Sequence, residues 1–145
     1  MQVPKGSYVL VADGRKRLLA RNDGDADAPR LTVVQAVEDD NPKTHDQVTD
    51  AAGHAGGRGT GSGSMGEADA HDVEEERFAV ETAALIGRAA QAGEFERLIV
   101  VAPPRTLGRL RKHYDPAVKD RLAAEIDKDL TGQPIDRIAA MLAER

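Results

Sequence analysis

The chain contains no cysteine and no tryptophan, and it has only two tyrosines and two phenylalanines among its 145 residues. The absence of cysteine excludes disulfide bonds and thiolate metal sites. The scarcity of aromatic rings argues against a stacking platform for single-stranded nucleic acid, because such platforms need exposed rings. The fold must therefore rest on an aliphatic core, for which an apolar fraction of 40% is adequate.

Long hydrophobic runs are also missing. The first apolar run extends only from Tyr8 to Ala12, which is too short for a secretory signal or a membrane span. We therefore expect a cytoplasmic protein without a membrane partner. A length of 145 residues is typical of one domain, and residues 1–145 are predicted to form a single domain.

Charge is unevenly distributed along the chain. The formal net charge is −5, which disfavours non-specific binding to nucleic acid. Residues 67–81 are strongly acidic, whereas residues 105–121 are mostly basic. The simplest interpretation is two solvated faces.

The first third of the chain predicts an antiparallel meander. Asp13-Gly14 predicts a type I′ hairpin turn, because both central positions of that turn need positive φ. The polar cluster at 22–29 predicts a second turn. The three predicted strands are 7–13, 15–21 and 31–37.

The second half alternates helix and strand patterns. Asp72 is predicted to cap a helix that Gly93 ends, with Glu75 completing a capping box. The wholly apolar run 98–102 predicts a strand buried on both faces, as in a parallel sheet covered by helices. The pattern of residues 121–130 fits a strand and a helix equally well. The predicted helices are 72–92, 106–114 and 135–142.

A glycine-rich stretch separates these two halves. Residues 53–66 read GHAGGRGTGSGSMG, and nothing from 38 to 69 is periodic. Structureless loops of this length are uncommon inside a domain, and they are usually functional or disordered. Residues 38–69 are therefore predicted to form a flexible loop within the domain.

Five stretches together resemble one protein family, the bacterial host attachment proteins, which are named for a proposed role in attachment to host cells. That family is similar to the central domain of archaeo-eukaryotic class-1 peptide release factors. The APPRTLGRLRK and EIDKDLT sequences are the most specific parts of this resemblance. The five stretches are YVLVADGRKRLL (8–19), NPKT (41–44), HDVEEERFAVE (71–81), LIVVAPPRTLGRLRK (98–112) and EIDKDLTGQPIDRI (125–138).

The resemblance implies an α/β fold of ribonuclease H-like type. Its mixed five-stranded sheet has a three-stranded antiparallel meander followed by α/β units, about three flanking helices and the long glycine-rich loop. Residues 121–127 would be the fifth strand. In the release factors, the corresponding loop carries a Gly-Gly-Gln tip that reaches the peptidyl-transferase centre of the ribosome.

At the position of that tip this chain has Gly56-Gly57-Arg58. The glycines would let the backbone pass close to nucleic acid, and Arg58 could pair with a phosphate. Arginine has no acceptor to replace the glutamine amide, so peptidyl-tRNA hydrolysis is not carried over. A degenerate loop without a binding role is the alternative.

A basic helix is the second candidate for contact with nucleic acid. Arg105, Arg109 and Lys112 stand at i, i+4 and i+7, so they are predicted to share one helical face that suits a phosphate backbone. A solvated face without a partner is the simpler alternative. The residues predicted to contact nucleic acid are Gly56, Gly57, Arg58, Arg105, Arg109, Arg111 and Lys112.

No catalytic residue, metal ligand or cofactor is predicted. Asp13 and Glu75 or Glu76 could suggest a carboxylate metal site, but a turn residue and a helix dipole explain them better. The main functional hypothesis is a non-catalytic factor associated with the ribosome or RNA, resembling a stand-alone release-factor central domain. The alternatives are a cytoplasmic protein–protein adaptor that affects attachment indirectly, and a hydrolase acting on peptidyl-tRNA or another substrate.

Overall fold

The structure is a computed structural model that describes residues 1–39 and 60–145, with side chains described for 1–39 and 70–145. The predicted loop tip Gly56-Gly57-Arg58 lies outside the described residues. So does most of the segment 38–69, for which a loop was predicted.

Five strands form one mixed sheet in the order β3-β2-β1-β4-β5. The pairs β1–β2 and β2–β3 are antiparallel, whereas β1–β4 and β4–β5 are parallel. This arrangement confirms the predicted meander and the ribonuclease H-like α/β sheet. The strands are β1 (Tyr8–Ala12), β2 (Lys16–Asn22), β3 (Leu31–Glu38), β4 (Leu98–Ala102) and β5 (Leu122–Asp127).

The described part of the chain contains four helices, one more than predicted. The additional helix is a short one between the second helix and β5, and the Asp115 carboxylate caps it by accepting from the Ala117 N–H at 2.8 Å. The helices are α1 (Thr60–Gln91), α2 (Pro104–Arg111), α3 (Pro116–Arg121) and α4 (Ile135–Ala143).

Helix α1 begins much earlier than the sequence indicates. Its first residue is Thr60, so Asp72 lies inside the helix and the predicted N-cap is wrong. Residues 60–69, predicted as part of the loop, have helical backbone. Glycine disfavours helix by about 1 kcal/mol per residue. A helix already nucleated by its packed half can nevertheless propagate, because each added residue gains a hydrogen bond.

The first hairpin turn differs from the predicted type I′. Among the described glycines only Gly6 and Gly93 have positive φ, so Gly14 does not meet the requirement of that turn. Instead, Asp13 Oδ1 accepts hydrogen bonds from the backbone N–H groups of Arg15 and Lys16, both at 2.7 Å. The aspartate side chain therefore holds the turn, a common role for this residue.

The sheet is covered on both faces, as the apolar run 98–102 predicts. One face packs against α1, α2 and α3, and the other packs against α4. β1 and β4 are buried throughout their length. The largest fully buried side chains are Leu10, Leu19, Ile86, Leu98, Ile99, Leu110, Ile138 and Leu142.

Residues 122–127, which the periodicity left open, form a strand parallel to β4. The loop that follows β5 connects two parts of the chain that are distant in sequence. The Thr131 hydroxyl lies 2.7 Å from Asp129 Oδ1 and 2.9 Å from Asp13 Oδ2. These contacts connect the β5–α4 loop to the first hairpin turn beside the carboxyl ends of the parallel strands.

Candidate nucleic-acid interface

The predicted basic helix exists and starts directly after the carboxyl end of β4. Pro104 occupies its first turn, where the missing N–H costs nothing and the fixed φ suits a helix. The helix carries Arg105, Arg109 and Arg111, and Lys112 follows it. These four residues are brought together on and beside α2, but they do not share one exposed face.

Arg109 is buried between α2 and α1 rather than presented to solvent. Its side chain is only 10% exposed. Its guanidinium donates to the Asp72 carboxylate, to the Asp72 carbonyl at 3.3 Å and to Glu76 Oε1 at 3.2 Å. Arg105, Arg109 and Lys112 do lie on one side of α2, since each of them contacts Asp72 or Glu76 of α1. The two carboxylates draw Arg109 inward, so its guanidinium is not open to an external phosphate.

The other three cations remain accessible. The Arg105 side chain is 76% exposed and lies 3.6 Å from Asp72 Oδ1. Lys112 is 60% exposed, and Arg111 is 55% exposed. Arg105 is thus the cation of α2 that is presented most openly to an external phosphate.

The acidic and basic segments of the chain contact each other. Lys112 Nζ lies 2.9 Å from Glu76 Oε1, and Arg111 lies 3.0 Å from Glu125 Oε1. Together with the pairs made by Arg105 and Arg109, these contacts oppose each of the four cations with a carboxylate. The two charged segments are therefore in contact and partly neutralise each other, although most of these side chains remain accessible to solvent.

Glu76 is the centre of this ion-pair network. Its carboxylate contacts Arg109, Lys112 and His113, the last through Nε2 at 2.6 Å. Hydrogen bonds from His113 and Lys112 lower the pKa of Glu76 to about 2. A hydrogen bond from Arg109 likewise lowers the pKa of Asp72. Both carboxylates of α1 are therefore held in the charged form.

A second contact holds the end of α2 against β5. The Tyr114 hydroxyl donates to Glu125 Oε2 at 2.9 Å, and Arg111 Nε donates to both oxygens of the same carboxylate. Burial, followed by the bond to Glu125, raises the pKa of Tyr114 above its ordinary range. Glu125 thus fixes the direction in which the exposed Arg111 points.

Sequence reasoning missed Glu76, His113, Tyr114 and Glu125 as members of this surface. A helix dipole explains the glutamate only if the helix starts near it, and the helix starts far upstream. The signal that could have found the network is the four-residue spacing of Asp72 and Glu76, which puts both on one face of α1. Pairing that face with Arg109 additionally requires knowledge of the α1–α2 packing.

Metal sites and membrane spans are absent from the part of the chain that the structure describes. Among residues 1–39 and 70–145, whose side chains are described, no group of three or more His, Asp or Glu side chains could hold a metal ion. Within the same ranges, no helix has both the length and the apolar character needed to cross a membrane.

Comparison with known proteins identifies the family. The family profile of bacterial archaeo-eukaryotic release factor family 12 matches residues 6–142. The chain therefore belongs to this family, whose description names release factors and not host attachment. No curated protein matches the chain.

A solved structure shows the same fold. The crystal structure of an archaeal translation termination factor, aRF1, is similar with a TM-score of 0.55 and 14% sequence identity. The similarity covers 96% of this chain and 34% of that chain. This chain therefore spans about a third of the length of the archaeal factor.

Proposed function

We propose that this protein acts in translation as a release-factor-like domain that associates with the ribosome and does not hydrolyse peptidyl-tRNA. Family membership across residues 6–142 is the observation that carries the proposal. The fold similarity to the archaeal termination factor supports it. Such a function is exercised in the cytoplasm.

The surface of α2 offers a specific way to contact ribosomal RNA. Phosphate contacts need exposed cations but no base-specific geometry. Arg105, Arg111 and Lys112 meet this need because their side chains remain more than half exposed. Arg109 would act indirectly, since it positions α2 against α1.

The carboxylates of α1 and β5 limit this interaction. Asp72, Glu76 and Glu125 already neutralise part of the basic charge, so a phosphate must compete with them. Exposed ion pairs contribute little and are readily exchanged. We therefore expect binding that is moderate in strength and strongly dependent on salt, in keeping with a net charge of −5.

The non-catalytic part of the proposal rests on sequence. Gly56-Gly57-Arg58 lacks the glutamine of the release-factor tip, and arginine cannot replace an amide as acceptor. A contribution of this tripeptide to RNA binding is part of the proposal. A link to host attachment, implied by the sequence resemblance, would be an indirect result of a function in translation.

Co-sedimentation with bacterial ribosomes in sucrose gradients at low and high salt tests the proposal. We expect the protein in the ribosomal peak at low salt and its gradual loss as salt rises. The variant Arg105→Ala/Arg111→Ala/Lys112→Ala should bind less. For this variant, the slope of log affinity against log salt concentration should be smaller in magnitude by about 0.9 for each phosphate that is no longer neutralised.

A matched variant controls for net charge. Lys5→Ala/Arg97→Ala/Arg137→Ala removes the same charge from exposed residues outside α2, and it should bind like the wild type. Equal weakening in both variants would contradict the assignment to α2. A protein that stays at the top of the gradient at every salt concentration would refute ribosome association. Release of peptide from peptidyl-tRNA, abolished by Arg58→Ala, would refute the non-catalytic part.

A further inference from the structure

Strand β3 has one edge without a partner strand among the described residues. It lies at the end of the sheet order and pairs with β2 alone among the described residues. A free edge presents unpaired backbone N–H and C=O groups that can accept another strand. Proteins usually protect such edges with lysine, proline, a β-bulge, short length or a covering element. Strand β3 has such a bulge, where it pairs with Leu19 and Ala20 of β2.

Apart from this bulge, β3 carries little of that protection. From Thr32 to Val37 it reads TVVQAV, with no charge, proline or glycine. Val33 is 47% exposed and Val34 is 41% exposed. Short β-branched segments without charge favour pairing between strands. The strand has eight residues, and its six central ones are uncharged, so this edge is suited to extend the sheet.

We propose that β3 pairs antiparallel with β3 of a second copy of this chain, forming a dimer with a continuous ten-stranded sheet. The twofold axis would pass between Val34 and Gln35. This inference does not depend on the proposed function, because it rests on the edge of β3, far in sequence from the basic helix α2.

The register of β3 on β2 supports this axis. A bulge lets Val33 pair with Ala20 and Ala36 pair with Leu18. Ala20 and Leu18 both pack on the α4 side of the sheet, so Val33 and Ala36 share that face despite their odd spacing. Pairing about the proposed axis puts Val33 opposite Ala36 of the second copy on the same face, as a β-ladder requires.

Charge complementarity selects a second copy as the occupant. The same register puts Arg30, just before β3, opposite Asp39 of the second copy, just after it. Both ends of the ladder would then carry opposite charges, and such cross-strand pairs are favourable. Because the contact is the same on both copies, the dimer closes and does not grow into a fibre.

The other edge of the sheet does not offer an equal site. Strand β5 carries Glu125 and Asp127, and like charges on facing strands oppose pairing. A strand-to-strand contact buries little surface area compared with the interface of an obligate dimer. We therefore expect a reversible, concentration-dependent dimer.

Sedimentation velocity of the full chain over a concentration series tests this proposal. The wild type should shift from monomer to dimer as concentration rises. Val33→Lys should weaken dimerisation at least about tenfold, because two lysines would enter the apolar ladder. Val80→Lys is the matched control, since Val80 is similarly exposed at 42% but lies on α1, and it should dimerise like the wild type.

Charge reversal tests the register. Arg30→Glu and Asp39→Arg should each weaken the dimer, and the double variant should restore it. These residues flank opposite ends of β3 within one copy, so restoration reports contact between copies. A wild type that is monomeric throughout, a Val33→Lys variant that still dimerises, or a double variant without restoration would each overturn the proposal. Circular dichroism confirms that every variant is folded.

Discussion

At the scale of single residues, Arg109 determines how the basic helix is held. Its guanidinium is almost fully buried and reaches two carboxylates one turn apart on α1. A planar, multiply donating group suits this arrangement better than an ammonium would. The same residue that the sequence presents as a ligand for nucleic acid therefore stabilises the surface on which the other cations are displayed.

We expect Arg109→Met to lower the free energy of unfolding by about 1–2 kcal/mol, because it removes the hydrogen bonds of a guanidinium whose side chain is only 10% exposed. Arg109→Lys should recover only part of this stability, since lysine cannot bridge both groups. Urea denaturation measures both values. Arg105→Met, at a side chain that is 76% exposed, should change the free energy by less than about 0.5 kcal/mol.

Stability should also depend on the ionisation of Glu76. Its pKa is lowered from 4.5 to about 2 in the folded protein. A lowered pKa means that the ionised group stabilises the fold fully above about pH 4.5, and that this contribution is lost as pH falls towards 2. Glu76→Gln cannot ionise, so it lacks this dependence.

We therefore expect the difference in unfolding free energy between wild type and Glu76→Gln to shrink as pH falls from about 5 to about 2. Urea denaturation at stepped pH values provides the measurement. A difference that stays constant across this range would show that the ion pairs of Glu76 do not contribute to stability.

At the scale of elements, helix α1 shows what the sequence can and cannot predict. Its end at Gly93 is confirmed, because a glycine with positive φ is a local requirement that the residue type reveals. Its start was misplaced, because the helix begins at Thr60 in a glycine-rich stretch that carries no helical pattern in the sequence. Helix α3 was missed for a similar reason, since six residues are too few for a periodic pattern.

The end of α1 has the hydrogen bonds of a Schellman motif. The N–H of Glu94 donates to the Ala89 carbonyl and that of Gly93 to the Ala90 carbonyl, both at 3.0 Å. Gly93→Ala should destabilise the protein by about 1 kcal/mol, because alanine is strained at a φ of +72°. Gly132→Ala is the control, since this position has neither positive φ nor a close neighbour, and it should be neutral in thermal denaturation.

At the scale of the whole molecule, the strands and their mixed sheet could be predicted but the arrangement of charge could not. Turn residues and apolar runs indicated four of the five strands, and the family resemblance assigned the fifth. To predict the candidate site, one would have to know which segments, far apart in sequence, lie close together in the fold. Asp72 and Arg109 meet only because α1 and α2 pack on the same face of the sheet. The composition therefore suggested that the basic side chains are less paired with carboxylates than they are in the structure.

The position of β1 at the centre of the sheet has a consequence for how the chain folds. Its antiparallel pairing with β2 joins residues close in sequence, whereas its parallel pairing with β4 joins Tyr8 to Leu98. Closing the longer loop costs more entropy and slows folding. We expect the meander to form before the β1–β4 ladder. Kinetic φ-values should therefore be higher for Leu19→Ala in β2 than for Val100→Ala in β4, and the opposite order would contradict this sequence of events.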